Sequence, residues 1–404
     1  MTDTDTVVDE VLASIAGSLI SLRRDLHAHP EPSWAEVRTT QVLLDRLRAA
    51  GLEPTVAAPG TGVICDVGTG VPRVAIRGDI DALRLVDAKD VPYRSTIPGV
   101  CHACGHDVHA TAVVGATLAL HRVLSDRGAG AVRILLQPAE ESVPGGAAAL
   151  VEAGAVQGID AVFGLHCDPS LPVGRVGVSP GPITSAADMI DLRLRGPGGH
   201  TARPHQSVDL VHVAARVAVE VPMGLARLVD PRDGLNVTFG AIHAGDAPNV
   251  IPAEARLLGS LRSSGRGAWD AAPALLPRLI AAIAEPLGAT WELDHLRGAP
   301  PIVNDPWAAG LLAAAAADRL GADGVGPTMQ STGGEDFSWY GESARLGYLR
   351  LGVRPAGVDP YDIHSPVFDV DETAIGHGAA ILARTALAAI DQVDALDALD
   401  AVGP

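Results

Sequence analysis

Ser185-Ala186-Ala187-Asp188-Met189-Ile190-Asp191-Leu192-Arg193-Leu194-Arg195 is where the texture of this chain changes. Ile190, Leu192 and Leu194 alternate with Asp191, Arg193 and Arg195, a period of two that turns one face of a strand to a core and the other to water. Working forward from it, the pattern predicts a helix (Val208 to Arg227), two strands (Leu235 to Ile242 and Ala255 to Leu261), a helix (Trp269 to Ala284, its start blurred by Pro273 and Pro277) and a strand (Thr290 to Leu296). That order, βαββαβ, is the order of a ferredoxin-like sandwich. Working backward, β-rich runs at Gly62 to Val67, Val74 to Ile76, Val132 to Leu136 and Ala161 to Leu165 alternate with helical stretches, among them Ala110 to Leu124, which predicts a largely parallel sheet covered on both faces.

The same α/β texture returns after Pro300, with a helix near Trp307 to Leu320, a strand near Tyr348 to Leu351 and a closing helix from Thr373 to Ala389. Helices also open the chain, one through Val8, Leu12, Ile15, Leu19 and Leu22 and a second from Trp34 to Ala50. The expected fold class is therefore α/β, a mostly parallel-sheet catalytic domain (1–184 and 298–404) interrupted by an α+β ferredoxin-like lid (185–297). An insertion with both ends at one edge of its host is expected to cover a site there. The tail from Asp391 to Pro404 is expected to fray.

A length of 404 residues favours two domains, and 47% apolar with 19% charged residues is the composition of a folding chain. A formal charge of −18 argues against nucleic acid or an anionic membrane surface as partner. The polar, acidic start lacks the pattern of an export signal, and no apolar run is expected to reach membrane-spanning length, so a cytoplasmic location is expected. Four cysteines, Cys65, Cys101, Cys104 and Cys167, are then expected as thiols.

Chemistry concentrates in Cys101-His102-Ala103-Cys104-Gly105-His106-Asp107-Val108-His109, five metal-capable side chains in nine residues. The spacing fits neither a zinc ribbon nor a His-Glu-x-x-His helix. Three further segments follow predicted strands, where open parallel sheets build their sites: Asp79-Ile80-Asp81, Glu140-Glu141 and His166. In extended chain the two adjacent glutamates would point opposite ways, one towards metal and one towards a reacting water.

Taken in order, Arg77-Gly78-Asp79-Ile80-Asp81-Ala82-Leu83, His102-Ala103-Cys104-Gly105-His106-Asp107, Gln137-Pro138-Ala139-Glu140-Glu141, Gly164-Leu165-His166, Gly198-Gly199-His200-Thr201-Ala202-Arg203-Pro204 and Gly334-Glu335-Asp336-Phe337 closely resemble the hippurate hydrolase, auxin-conjugate hydrolase and aminoacylase-like branch of the co-catalytic metallopeptidases. The resemblance spans about His27 to His364. It implies a metal-dependent amidohydrolase that cleaves N-acyl amino acids with a water activated by a glutamate. Cys104, His106, Glu141, His166 and His364 would be the ligands of two divalent ions per subunit (zinc, manganese, nickel or cobalt), with Cys104 the bridge. Glu140 would be the general base, and Asp81, with Asp79 as competitor, the acid that orients ligand and base. His200 would donate a hydrogen bond to the tetrahedral oxyanion, often in a neighbouring subunit's site, while Asn249 and Arg262 would hold substrate. The implied partners are a small N-acyl amino acid and a second copy of the chain, joined through the lid domains.

Two other classes compete. Gly177-Val178-Ser179-Pro180-Gly181 matches the serine-hydrolase nucleophile elbow, but Pro180 has no backbone N–H to give the oxyanion. A metal-binding protein without turnover is opposed by the presence of Glu140 beside all five candidate ligands. A metallo-dipeptidase or carboxypeptidase with the same metals and base is the alternative within enzymes.

Overall fold

The computed structural model describes residues 3–402, and side chains over 4–393. In chain order its main elements are α1 (Asp3–Ala28), α2 (Val37–Arg48), β1 (Val63–Thr69), β2 (Val74–Asp79), α3 (His106–Arg127), β3 (Gly130–Gln137), α4 (Gly146–Glu152) and β4 (Ala161–Pro172). Then follow β5 (Ala186–Arg195), α5 (Leu210–Leu228), β6 (Asn236–His243), β7 (Glu254–Ser263), α6 (Arg266–Ala284), β8 (Thr290–Ala299), α7 (Pro306–Leu320), β9 (Arg345–Arg354) and α8 (Thr373–Val402). The chain forms two compact units, one of them Pro182–Ile302 with Gln330–Glu335 and the other the remaining described residues.

The larger unit is built on an eight-stranded sheet in the order Thr55–Val56, β1, β3, β2, β4, β9, Val176–Gly177, Val325–Gly326. Its centre is parallel: β2 pairs with β3 and β4, and β4 with β9, all in parallel register. The β1 strand pairs antiparallel with β3 at the edge. Every residue of β2 is buried, as expected of a central strand in a parallel sheet. Helices α3 and α8 lie on these strands and on each other, and α1 and α7 pack against α8. The α3 and α8 helices are apolar and long enough to cross a membrane by length and composition, which corrects the expectation that no run reaches that length. Each is 78% buried over that window, and their Val, Leu and Ala side chains belong to the core of this unit. The closing helix also runs past the expected stop at Ala389 to Val402; residues 403–404 of the tail lie outside the described residues.

The smaller unit carries a four-stranded antiparallel sheet in the order β6, β7, β5, β8. Ile190, Leu192 and Leu194 are buried, as are Val213, Val217 and Val221 of α5 and Leu276 and Ile280 of α6. On the other face Arg256 pairs with Asp191 at 2.6 Å, and Arg195 reaches Glu254 and Glu292 at 3.3 and 3.1 Å. These are the cross-strand ion pairs that suit a wet sheet face. The α6 helix starts at Arg266 and runs through both prolines. Asp233, distant in sequence, accepts the Ala268 N–H at 2.8 Å, and the Trp269 carbonyl orphaned by Pro273 accepts from Arg297 Nη2 at 3.3 Å. Gln330–Glu335 joins this unit as a strap: Ser331 N–H donates to the Ile183 carbonyl at 2.9 Å and Ser185 N–H to the Gly333 carbonyl at 3.0 Å.

Candidate metal centre

The centre is assembled in the larger unit where the strand ends meet the start of α3. Gly105 precedes the helix with φ of +93°, and a Cβ there would stand 2.7 Å from Cys167 Sγ, so only glycine lets this corner close. The tight corner leaves Cys104 just before the helix and His106 as its first residue. Cys104 Sγ lies 3.3 Å from Nε2 of His166, which projects from β4.

The imidazoles are oriented by oxygens that can only accept. His106 Nδ1 is 3.0 Å from the Asp81 carbonyl oxygen and 3.1 Å from Asp81 Oδ1, so Nδ1 carries a proton and Nε2 is the nitrogen that holds the lone pair when the ring is neutral. His166 Nδ1 meets the Cys167 carbonyl at 2.7 Å, which likewise leaves Nε2 as the lone-pair nitrogen. His364, held with φ of +60° and its N–H donated to the Ala103 carbonyl at 2.7 Å, brings Nε2 to 3.2 Å from Glu141 Oε1.

Glu140 and Glu141 sit in a turn rather than in extended chain, which corrects the picture of carboxylates pointing opposite ways. Glu140 Oε2 and Glu141 Oε1 each lie 3.9 Å from His106 Nε2. The turn closes because Gly146 N–H donates to the Ala139 carbonyl at 2.9 Å, and a Cβ on Gly146 would lie 1.8 Å from the Pro138 oxygen. Asp336 of the Gly-Glu-Asp-Phe segment braces both ends of this turn, accepting from Gln137 Nε2 at 2.7 Å and from the Ala147 N–H at 2.9 Å.

Asp79 and Asp81 are both fully buried but do different work. Asp81 Oδ1 faces His106 while its Oδ2 accepts the Glu141 N–H at 3.0 Å and the Ser33 hydroxyl at 2.7 Å. Asp79 pairs with Arg77 at 2.6 Å and with His109 Nδ1 at 2.6 Å, and approaches His106 Nε2 only to 3.7 Å. His109 Nε2 in turn accepts the Cys167 N–H at 2.8 Å. His27, which the sequence left without a partner, meets Asp107 Oδ2 at 2.7 Å.

The field at this point is strongly negative. Burial pulls the His106 pKa down, yet the charge of Asp79 and the hydrogen bond and charge of Asp81 outweigh it and raise it to about 10. Burial, with Arg350 nearby, holds His166 well below its ordinary value and therefore neutral. The hydrogen bond to Glu141 raises His364.

A field that would protonate His106 is equally one that a dication would neutralise. His106 Nε2 is a buried atom without a hydrogen-bond partner, a cost of about 1–3 kcal/mol unless a cation takes the lone pair. Ligand atoms of Cys104, His106 and His166 lie within 4.8 Å of one another, and so do those of Cys104, Glu141 and His364. Cys104 is common to both groups, the arrangement that a bridging thiolate requires. The donor set, one thiolate, three imidazoles and a carboxylate, fits two borderline divalent ions.

The three remaining sequence candidates belong to the smaller unit and are exposed. His200 pairs in register with Val250, next to Asn249, whose carbonyl accepts the Thr201 N–H at 3.2 Å. The Ala202 N–H donates to His200 Nδ1 at 3.0 Å, which leaves Nε2–H as the outward donor of the neutral ring. Arg262 on β7 makes no ion pair among the described residues. Ser179 of the serine-elbow string is occupied in backbone bonding, accepting the Thr328 N–H at 3.0 Å.

Sequence reading missed Ser33 and Glu36. Both act across long stretches of chain, and their only local signal is the Pro-Glu-Pro breaker run beside them.

The description Peptidase family M20/M25/M40 matches residues 75–388. A Rhodococcus jostii protein named "Putative glutamate--cysteine ligase 2-3" is 42% identical over 90% of this chain, which spans only 46% of that protein's length. An N-acyl-L-amino acid amidohydrolase from Geobacillus stearothermophilus is 35% identical over 85% of this chain and 92% of its own length. Among solved structures, a dinuclear metal binding peptidase of the M20 family from Bacillus subtilis superposes with a TM-score of 0.80 at 32% identity, covering 94% of this chain and 99% of that one. With a matching family description over most of its length and full-length relatives above 30% identity, this chain belongs to peptidase family M20/M25/M40, in its amidohydrolase branch.

Proposed function

We propose that the chain hydrolyses the amide bond of N-acyl amino acids, with Cys104, His106, Glu141, His166 and His364 holding two divalent ions and Glu140 acting as general base. The observation that carries this reading is the sharing of Cys104 between two ligand groups with Glu140 beside them. Two such ions would acidify an attacking water and polarise the amide carbonyl. Glu140 takes a proton from that water and returns it to the leaving nitrogen, so no side chain becomes acylated. Asp81 keeps His106 in the tautomer that offers Nε2 and holds the backbone of Glu141, so one carboxylate aligns a nitrogen and an oxygen ligand together.

His200 is proposed as donor to the tetrahedral oxyanion, supported by its outward Nε2–H. Arg262 is proposed to take the substrate carboxylate as a bidentate pair, supported by its exposure without a carboxylate of its own, and Asn249 to contact the substrate amide. Assembly as a homodimer through the lid sheet and a cytoplasmic location complete the proposal.

The test is a hydrolysis screen of N-acetyl, N-benzoyl and long-chain acyl amino acids beside dipeptides, on protein reconstituted separately with zinc, manganese, nickel and cobalt. Glu140→Gln should keep both ions and lose about 100-fold or more in kcat. Normal turnover by that variant removes Glu140 from the mechanism, and cleavage of dipeptides alone replaces the substrate class.

A further inference from the structure

Among the described residues, the non-glycine positions with left-handed φ are Trp34 at +66°, Ala139 at +54° and His364 at +60°. A side chain at such a φ is strained and persists only where surrounding contacts over-determine it. Two of the three belong to the centre described above: His364 is a proposed ligand, and Ala139 is the residue immediately before Glu140. Trp34 lies far away in sequence, yet it is tied to Ala139 through one atom. Glu36 Oε1 accepts both the Ala139 N–H at 2.8 Å and the Trp34 N–H at 3.0 Å.

Glu36 is fully buried and stands at the N-cap of α2, the position from which a short polar side chain ordinarily satisfies the first N–H groups of the helix. It makes no such bond. Glu31 caps in its place, accepting the Arg38 N–H at 3.0 Å and the Thr39 N–H at 2.7 Å. The Glu36 carboxylate is thereby released for other bonds, and its second oxygen is taken up by the Thr61 hydroxyl at 2.9 Å. Burying a carboxylate is costly, and here two of the three bonds it accepts fix backbone N–H groups, one of them at the entrance to the Glu140 turn.

We infer that Glu36 is the positioning residue of the proposed general base: its carboxylate holds Ala139 in the left-handed conformation that turns the chain out of β3 and presents Glu140 to the metal centre. On the far side of Glu140, the Glu141 N–H is held by Asp81 Oδ2. Glu140 is thus gripped through the backbone of the residue before it and the residue after it, each by a buried carboxylate. Glu141, the ligand in the same turn, has its own hold through Asp81 Oδ2, so the bond to Ala139 bears chiefly on the base. The inference rests on the reading of Glu140 as base.

The experiment compares Glu36→Ala, Glu36→Gln and Glu36→Asp in the full chain, loaded with zinc and assayed on N-acetyl-L-methionine, with metal content and Tm measured alongside. Removing the acceptor should lower kcat by about 100-fold, the effect of an ångström-scale misplacement, with KM within about threefold and both ions retained. Glu36→Gln should restore most of the rate, because an amide oxygen can still accept from Ala139 and Trp34 while its NH2 donates to Thr61. Glu36→Asp keeps the charge but withdraws the oxygens, so it should resemble the alanine variant; it decides the matter if Glu36→Ala does not fold. In the Glu140→Gln background, Glu36→Ala should cause no further loss, since a base that is absent cannot be mispositioned.

Unchanged kcat in Glu36→Ala or Glu36→Asp, a loss explained wholly by missing metal, or additive losses in the double variant would overturn the inference. An active Glu140→Gln protein would instead overturn the general-base reading itself. An inactive Glu140→Gln beside a fully active Glu36→Ala leaves that reading standing and removes only this one.

Discussion

Replacing Asp81 by asparagine keeps the shape of the side chain and removes its charge, and the outcome follows from counting donors. Asp81 Oδ1 receives the His106 Nδ1 proton, while Oδ2 receives the Glu141 N–H and the Ser33 hydroxyl. An asparagine whose oxygen faces His106 must point its NH2 at the Glu141 N–H, donor against donor. The flipped amide points NH2 at His106 Nδ1 and drives the proton to Nε2, the nitrogen proposed to hold metal. Either way one charge-assisted bond is lost in a buried site, about 1.5–3 kcal/mol. At about 1.4 kcal/mol per decade this is a loss of roughly 10–100-fold in metal affinity. Titration of the metal-free protein with zinc in competition with a chromophoric chelator measures it, with circular dichroism to confirm folding. Two ions bound at undiminished affinity by Asp81→Asn would refute the assignment of orientation to Asp81. The control is Asp79→Asn: that residue pairs with Arg77 and His109, so its loss should appear mainly as stability.

Cys104→Ala should weaken both ions together, by about tenfold or more, because the thiol belongs to both ligand groups; elemental analysis after dialysis would expose a loss confined to one ion. Gly105→Ala forces a side chain into φ of +93° and against Cys167 Sγ, and should lower the unfolding free energy by about 2–5 kcal/mol in urea titration. Metal-free protein should lose stability as pH rises. The folded His106 value, raised from 6.5 to about 10, lies above the unfolded one, so its contribution is fully present below about 6.5 and fades towards about 10. A thermal scan of His106→Asn from pH 6 to 10 should show a flatter profile than the parent.

The alternation from Ile190 to Arg195 announced the lid sheet because a half-buried antiparallel strand writes its two faces directly into the sequence. The crowding of Cys104 and His106 within nine residues was legible as donor chemistry in its own right, whereas His364 entered the expected ligand set only through the resemblance to the family. What stayed hidden was conformation decided at long range. Nothing near Trp269 says that Asp233 will cap its helix or that Arg297 will take the carbonyl freed by Pro273. The Glu140 and Glu141 carboxylates read as an extended pair because the left-handed turn at Ala139 depends on Glu36, 103 residues away in the chain. Local propensity describes a segment as it would be alone, and both of these segments are shaped by a distant partner.

The strap from Gln330 to Glu335 bears on anyone who wishes to move the lid to another host. A graft cut at Pro182 and Ile302 would carry all four long strands and both helices, yet it would leave the Ile183 carbonyl and the Ser185 N–H without their backbone partners and the Thr184 carbonyl without the Gln330 amide. Transplanting this unit therefore means transplanting two pieces of chain. A natural recombination event that swapped this unit between relatives would have to exchange both pieces at once.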